Sequence, residues 1–245
     1  MKIVIIVQAR MGSSRLPGKI LKEVLGKPLL EYLLERLKRV KKANEICVAT
    51  TTKPQEQPIL DLCARLDVAT FRGSEDDVLE RYYLAAKKCK AGAVVRVTSD
   101  CPLIDPVEID KLVHFYLDNL GQYDYVAHSL TRTYPRGMDA EIFSFDALEK
   151  AYNNGKSAPE REHVTPHLYW NPHLFRLGNV AYKEDHKDHR WTVDTPEDFE
   201  LIQKIIESLY PIKPEFLIED ILNLFKKNPE WKNINNHIMQ KTLTK

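Results

Sequence analysis

The sequence predicts an α/β fold in which a wound parallel sheet gives way to a mixed region. Two observations lead there. Short β-branched runs alternate with amphipathic segments through most of the chain. The 245 residues, 43% hydrophobic and 29% charged, suit one α/β domain or two small ones with a substantial core. The regular alternation covers the first half, and the strands after it read as shorter and less regular.

Taken in order, "KIVIIVQA" reads as a strand and "PLLEYLLERLKRVK" as a helix with leucines at helical spacing. "EICVATT" is the second strand and "QPILDLCARL" a helix. "VATFRG" is a short third strand, followed by the helix "DDVLERYYLAAKKCK". "AVVRVTS" is the fourth, running into "DCPLIDP" and a helix over 107–119. "YDYVAHS", "DAEIFSF" and "LFRLGNVAY" read as strands of the mixed region, and "RWTVD" as one more. "PEDFELIQKIIESLY" is a helix with Pro196 near its start, and "EFLIEDILNLFKK" a last helix with an apolar stripe. The expected organisation is a main domain over residues 1–210. A helical extension over 211–245 packs on it or on a second subunit.

Composition excludes some classes of function. With 36 basic against 35 acidic side chains, nucleic acid is not an expected partner. No apolar run is long enough to span a bilayer, and no signal-peptide pattern opens the chain, so a cytoplasmic protein is expected. Cys47, Cys63, Cys89 and Cys101 form no CxxC pair and read as buried thiols.

Charge is concentrated locally, in "VQARMGSSRLPGKI" behind the first strand. A P-loop does not explain it. Five residues separate Gly12 from Gly18, Ile20 stands where a hydroxyl should reach Mg²⁺, and Pro17 removes a backbone donor. What remains is a Gly/Ser loop at Gly12 and Ser13 whose backbone can approach an anion, carrying Arg10, Arg15 and Lys19. It leaves the C-terminal end of a strand, where open α/β sheets bind ligands. If the strands run in the order third, second, first, fourth, the loop faces "TSDCPLIDP" and its Asp100. A cationic loop beside a carboxylate suits a metal–triphosphate complex. A solvated basic loop is the alternative.

"QARMGSSRLPGKIL", "GSEDDVLERYY", "SDCPLIDP", "GMDAEIFSFDALEKA", "REHVTPHLY" and "VDTPEDFE" together resemble the sugar cytidylyltransferases over residues 1–210. Among these are the octulosonate and acylneuraminate enzymes, and the spore-coat polysaccharide protein F branch is the most similar. The resemblance implies a Rossmann-like three-layer α/β/α nucleotidyltransferase fold with a mixed sheet. It also implies Mg²⁺ dependence, a homodimer, and transfer of CMP from CTP to an acidic sugar with release of pyrophosphate. A glycosyltransferase and a catalytically degenerate nucleotide-binding subunit are the competing classes.

On that resemblance Arg15, Lys19, Asp100 and Asp194 are the catalytic candidates, with Asp100 and Asp194 holding the metal. Ala9, Arg10, Gly12, Ser13, Gly73, Ser74, Asp77 and Arg81 join Arg15 and Lys19 around the nucleotide. Arg136, Asp139, Glu141, Arg161, Glu162 and His163 are expected to face the sugar, and so is Arg190, because strand alternation along "RWTVD" puts Arg190, Thr192 and Asp194 on one face. Asp194 has an alternative role as a helix cap, which Thr195 also suits. Asp76 and Asp77 likewise read as helix-start acids. The octulosonate enzymes carry a Glu where this chain has Cys101, which leaves the acceptor open.

Overall fold

The computed structural model describes residues 1–13, 15–240 and 243; Ser14 and positions 241, 242, 244 and 245, in the predicted extension, lie outside the described residues. The chain opens with β1 (Ile3–Gln8), then the two-residue strands β2 (Glu23–Val24) and β3 (Lys27–Pro28), which pair with each other. Then come α1 (Leu29–Leu37), β4 (Glu45–Thr51), α2 (Gln57–Arg65), β5 (Ala69–Gly73) and α3 (Val78–Lys88). The order continues with β6 (Ala93–Thr98), α4 (Pro106–Asp118), β7 (Tyr125–Ala127), β8 (Glu141–Ser144) and α5 (Phe145–Asn154). The short helices α6 (Ala158–His163) and α7 (Pro166–Tyr169) precede β9 (Leu177–Asn179), α8 (Pro196–Leu209) and α9 (Ile218–Lys227).

Seven strands form one sheet in the order β5-β4-β1-β6-β8-β7-β9. β1 pairs parallel with β4 and β6, and β4 with β5, which is the predicted third, second, first, fourth order. β8 runs antiparallel to both β6 and β7, so the sheet is mixed.

Both faces of the sheet are covered. Ile3, Ile5 and Val7 of β1 pack with Leu30, Leu33 and Leu34 of α1, Ile59 of α2 and Leu112 of α4. Val4 and Ile6 point the other way, toward Leu79 and Tyr82 of α3 and Leu148 of α5. This period-two split of an apolar run explains why "IVIIV" contains no polar residue. A third cluster joins α8 and α9 through Ile202, Ile205, Ile221 and Phe225 to Trp191, Leu29 and Tyr32. Burying each such side chain contributes about 1.5–3 kcal/mol, so α9 is held by four of them, Ile218, Ile221, Leu222 and Phe225.

"RWTVD" is not a strand. Only Arg190 makes a ladder contact, an isolated parallel bridge to Arg136. The reason lies at Gly137, whose φ is +97° and whose missing side chain lets the Trp191 carbonyl group and Thr192 nitrogen come within 2.5–2.7 Å of an ideal Cβ position. The two segments meet backbone to backbone at one point and then diverge.

Candidate active site

The site begins where β1 ends. Glu56 is fully buried at 0% exposure. It accepts the Met11 N–H at 2.9 Å and the hydroxyls of Thr50 and Thr51 at 3.2 and 3.1 Å. That carboxylate ties the cationic loop to the end of β4. Gly18 closes the loop at φ +65°, donating its N–H to Met11 O at 3.2 Å. A single 3-10 turn, Lys19–Leu21, then buries Ile20 in the core and sends Lys19 toward the carboxylates.

Asp100 follows β6, and its Oδ1 accepts from Thr98 Oγ1 at 2.6 Å. Asp194 arrives from the irregular segment before α8. The Lys19 Nζ donates to Asp100 Oδ2 and Asp194 Oδ1, both at 2.8 Å. The other Asp194 oxygen faces Arg15 at 3.0 Å and Arg190 at 2.9 Å. Burial works against the Lys19 charge, but Asp100 and Asp194 outweigh it and its pKa is raised. Burial likewise pushes Asp194 up, and Lys19, Arg15 and Arg190 more than reverse this, leaving it below the usual carboxylate range. The α8 cap is Thr195, whose hydroxyl accepts the Asp198 N–H while the Asp198 carboxylate accepts the Thr195 N–H. Asp194 is thereby free of the capping role.

These groups line a cavity of about 720 Å³ at the ends of β1 and β6. Of the predicted residues, Ala9, Arg10, Gly12, Ser13, Arg15, Lys19, Arg81, Asp100, Arg136, Asp139, Glu141, Glu162, His163 and Asp194 border it. Glu141 sits opposite Arg96 in the β6–β8 register, and the pair closes at 2.9 Å. Tyr125 and Thr165 hydroxyls donate to the same carboxylate at 2.9 and 3.1 Å. Arg132 pairs with Asp139 at 2.6 Å. Arg81 and Arg136 differ from these. Burial first, then the neighbouring Arg10 or Arg132, lowers the pKa of each, so both guanidiniums sit where an added anion would be welcome.

The donor set fits a hard divalent cation. Two carboxylates converge on one cation, Lys19, and among the described residues no group of three or more His, Cys, Asp or Glu forms a closed metal cage. Two carboxylates completed by phosphate oxygens and water is how Mg²⁺ is usually bound.

Residues 4–228 match the family model described as cytidylyltransferase. The chain belongs to that family. An uncharacterized protein of Methanocaldococcus jannaschii is 43% identical over 244 residues, covering 99% of this chain and 98% of its own length. The spore coat polysaccharide biosynthesis protein SpsF of Bacillus subtilis is 28% identical over 243 residues, covering 93% and 95%. A solved structure of a cytidylyltransferase from Leptospira borgpetersenii serovar Hardjo-bovis superposes with a TM-score of 0.91 at 36% identity, covering 99% of this chain and all of that one (100%). The protein is an enzyme of the nucleotidyltransferase class, with the Rossmann-like α/β fold that its motifs imply.

Several predicted residues of this cytidylyltransferase lie outside the cavity lining. Asp77 caps α3 through Glu80 N at 2.8 Å and pairs with Arg161, which also bonds Tyr152 O at 2.9 Å. The two join α3 to α6. Ser74 supports the same turn, accepting Asp77 N at 3.0 Å and Arg81 through its carbonyl. Gly73 packs under the Arg81 stem. Arg190 is directed at Asp194 and Asp198 rather than at the cavity. Sequence reasoning missed Gln8, Arg96, Ser129, Arg132, Thr165 and Tyr169, all on the cavity wall. Arg96 carried a signal, a lone charge inside the apolar run "AVVRV". The others had none.

Proposed function

We propose that the enzyme transfers CMP from CTP to an acidic sugar, of the nonulosonic or octulosonic type, with Mg²⁺ and release of pyrophosphate, as a step in cell-surface polysaccharide biosynthesis. The observation that carries this reading is the meeting of Lys19, Asp100 and Asp194 on the cavity that also holds Arg10, Arg15, Arg81 and Arg136. In the reaction a sugar hydroxyl oxygen bonds to the α-phosphorus of CTP. The bond from that phosphorus to the bridging oxygen breaks, pyrophosphate departs, and the hydroxyl proton passes to water.

Arg10, Arg15 and Lys19 are placed to hold the outer phosphates and to neutralise charge on the leaving group. Asp100 and Asp194 would hold the divalent ion, which when bound supplies charge neutralisation at the phosphate oxygens. Arg136, whose charge is disfavoured by burial, suits the carboxylate of an acidic acceptor. The spore-coat relative's name supports the polysaccharide setting. A homodimer rests on the family resemblance.

The test is a pyrophosphate-release screen of the four nucleoside triphosphates with Mg²⁺ against eight- and nine-carbon acidic sugars. Release with CTP and one such acid is expected, and Asp100→Ala should lower turnover about 10²–10³-fold. Release with only neutral sugars, or a fully active Asp100→Ala, refutes the reading.

A further inference from the structure

The family match ends at residue 228, yet the chain beyond it returns to the site. A 3-10 segment, Pro229–Ile234, packs Trp231 and Ile234 on the α8–α9 cluster. It delivers Asn235, which is only 3% exposed. The Asn235 amide donates to the Arg190 carbonyl at 2.9 Å and to Asp198 Oδ1 at 2.8 Å. Five residues on, Gln240 Oε1 accepts from Arg190 Nη1 at 2.6 Å.

Every nitrogen of the Arg190 guanidinium is engaged. Nε donates to Asp198 Oδ1 at 2.8 Å, Nη1 to Gln240, and Nη2 to Asp198 Oδ2 at 3.0 Å and Asp194 Oδ2 at 2.9 Å. A planar fork held on three sides has one orientation, and through it Asp194 has one orientation too. Asp198 is itself fully buried and makes the α8 cap, so the frame behind Asp194 is rigid. A buried amide without partners is costly, and Asn235 finds both of its partners in this frame.

We propose that the segment after α9 is part of the active site, with Asn235 and Gln240 acting as positioning residues that hold Arg190 behind Asp194 and so set the site's affinity for the divalent ion. This rests on the reading that Asp194 binds that ion. Outer partners of metal-holding carboxylates typically change metal affinity about 10–100-fold.

The test is calorimetric titration of Mn²⁺ into full-length, CTP-loaded protein without acceptor, so that no turnover intervenes. CTP affinity without metal and the Tm are measured alongside. Asn235→Ala should weaken Mn²⁺ binding about tenfold or more, with CTP affinity unchanged; Gln240→Ala should act in the same direction by a smaller factor. Gln240 is exposed, so that variant keeps the question answerable if Asn235→Ala does not fold. A lowered Tm with wild-type Mn²⁺ affinity in the folded variants would show the segment to be structural only and overturn the proposal. Asp194→Ala is the control: if it binds Mn²⁺ as the wild type does, the metal assignment is wrong and the proposal falls with it.

Discussion

Gly137→Ala should damage fold and chemistry together, by amounts that follow from one close approach. The added methyl would stand 2.5 Å from the Trp191 carbonyl carbon and oxygen, so reaching ordinary contact at 3.4 Å needs a shift of 0.9 Å in backbone, not in a side-chain tip. Alanine at φ +97° adds strain of about 1–3 kcal/mol. Overpacking adds about 1–3 kcal/mol more. A central total of about 4 kcal/mol corresponds to a Tm fall of about 8–16 °C for a chain of this size.

The displaced backbone is the one that bears the site. Val193 N donates to Asp100 O at 2.8 Å and the Thr192 hydroxyl to the same oxygen at 3.2 Å, so the Asp100 and Asp194 carboxylates shift with it. A misplacement near 1 Å costs about 10²-fold in rate. Thermal melts, with pyrophosphate release measured well below the Tm, separate the two effects. A variant with the wild-type Tm and wild-type turnover would show that the contact is not there.

Two further outcomes concern buried charge. Glu141→Ala leaves Arg96 buried without its partner and should cost about 3–5 kcal/mol, read as a shift in the denaturant midpoint. Burial lowers the His189 pKa from the model-compound value of 6.5 to about 4. The folded state therefore binds fewer protons than the unfolded one. This contribution is fully present above pH 6.5 and is lost as pH falls toward 4. Its size is about 1–2 kcal/mol after discounting for partial solvent contact. His189→Phe should flatten the Tm profile in that window, and a profile parallel to the wild type would refute the assignment.

The parallel half of the sheet was legible because β1, β4 and β6 are continuous apolar runs whose neighbours alternate with amphipathic helices. The cationic loop was legible because its residue types have few other uses beside a strand end. Other features depend on tertiary partners that no local pattern reveals. "RWTVD" has the composition of a strand, but the Gly137 approach allows it one ladder contact only. Arg190 was expected at the sugar because strand alternation aimed it there, and the loss of that strand returned it to Asp194 and Asp198. Asp77 and Arg161 have the residue types of a ligand site, yet across 84 positions they satisfy each other. Asn235 carries no signal in "WKNINNHI", since nothing local marks which asparagine is buried.

Because Thr195 and Asp198 start α8 between them, the carboxylate one position earlier is spared any part in beginning that helix. Asp194→Asn should therefore yield a well-folded bystander of its own reaction. Such a protein would be suited to trapping both substrates side by side for crystallography, with Lys19 still anchored by Asp100.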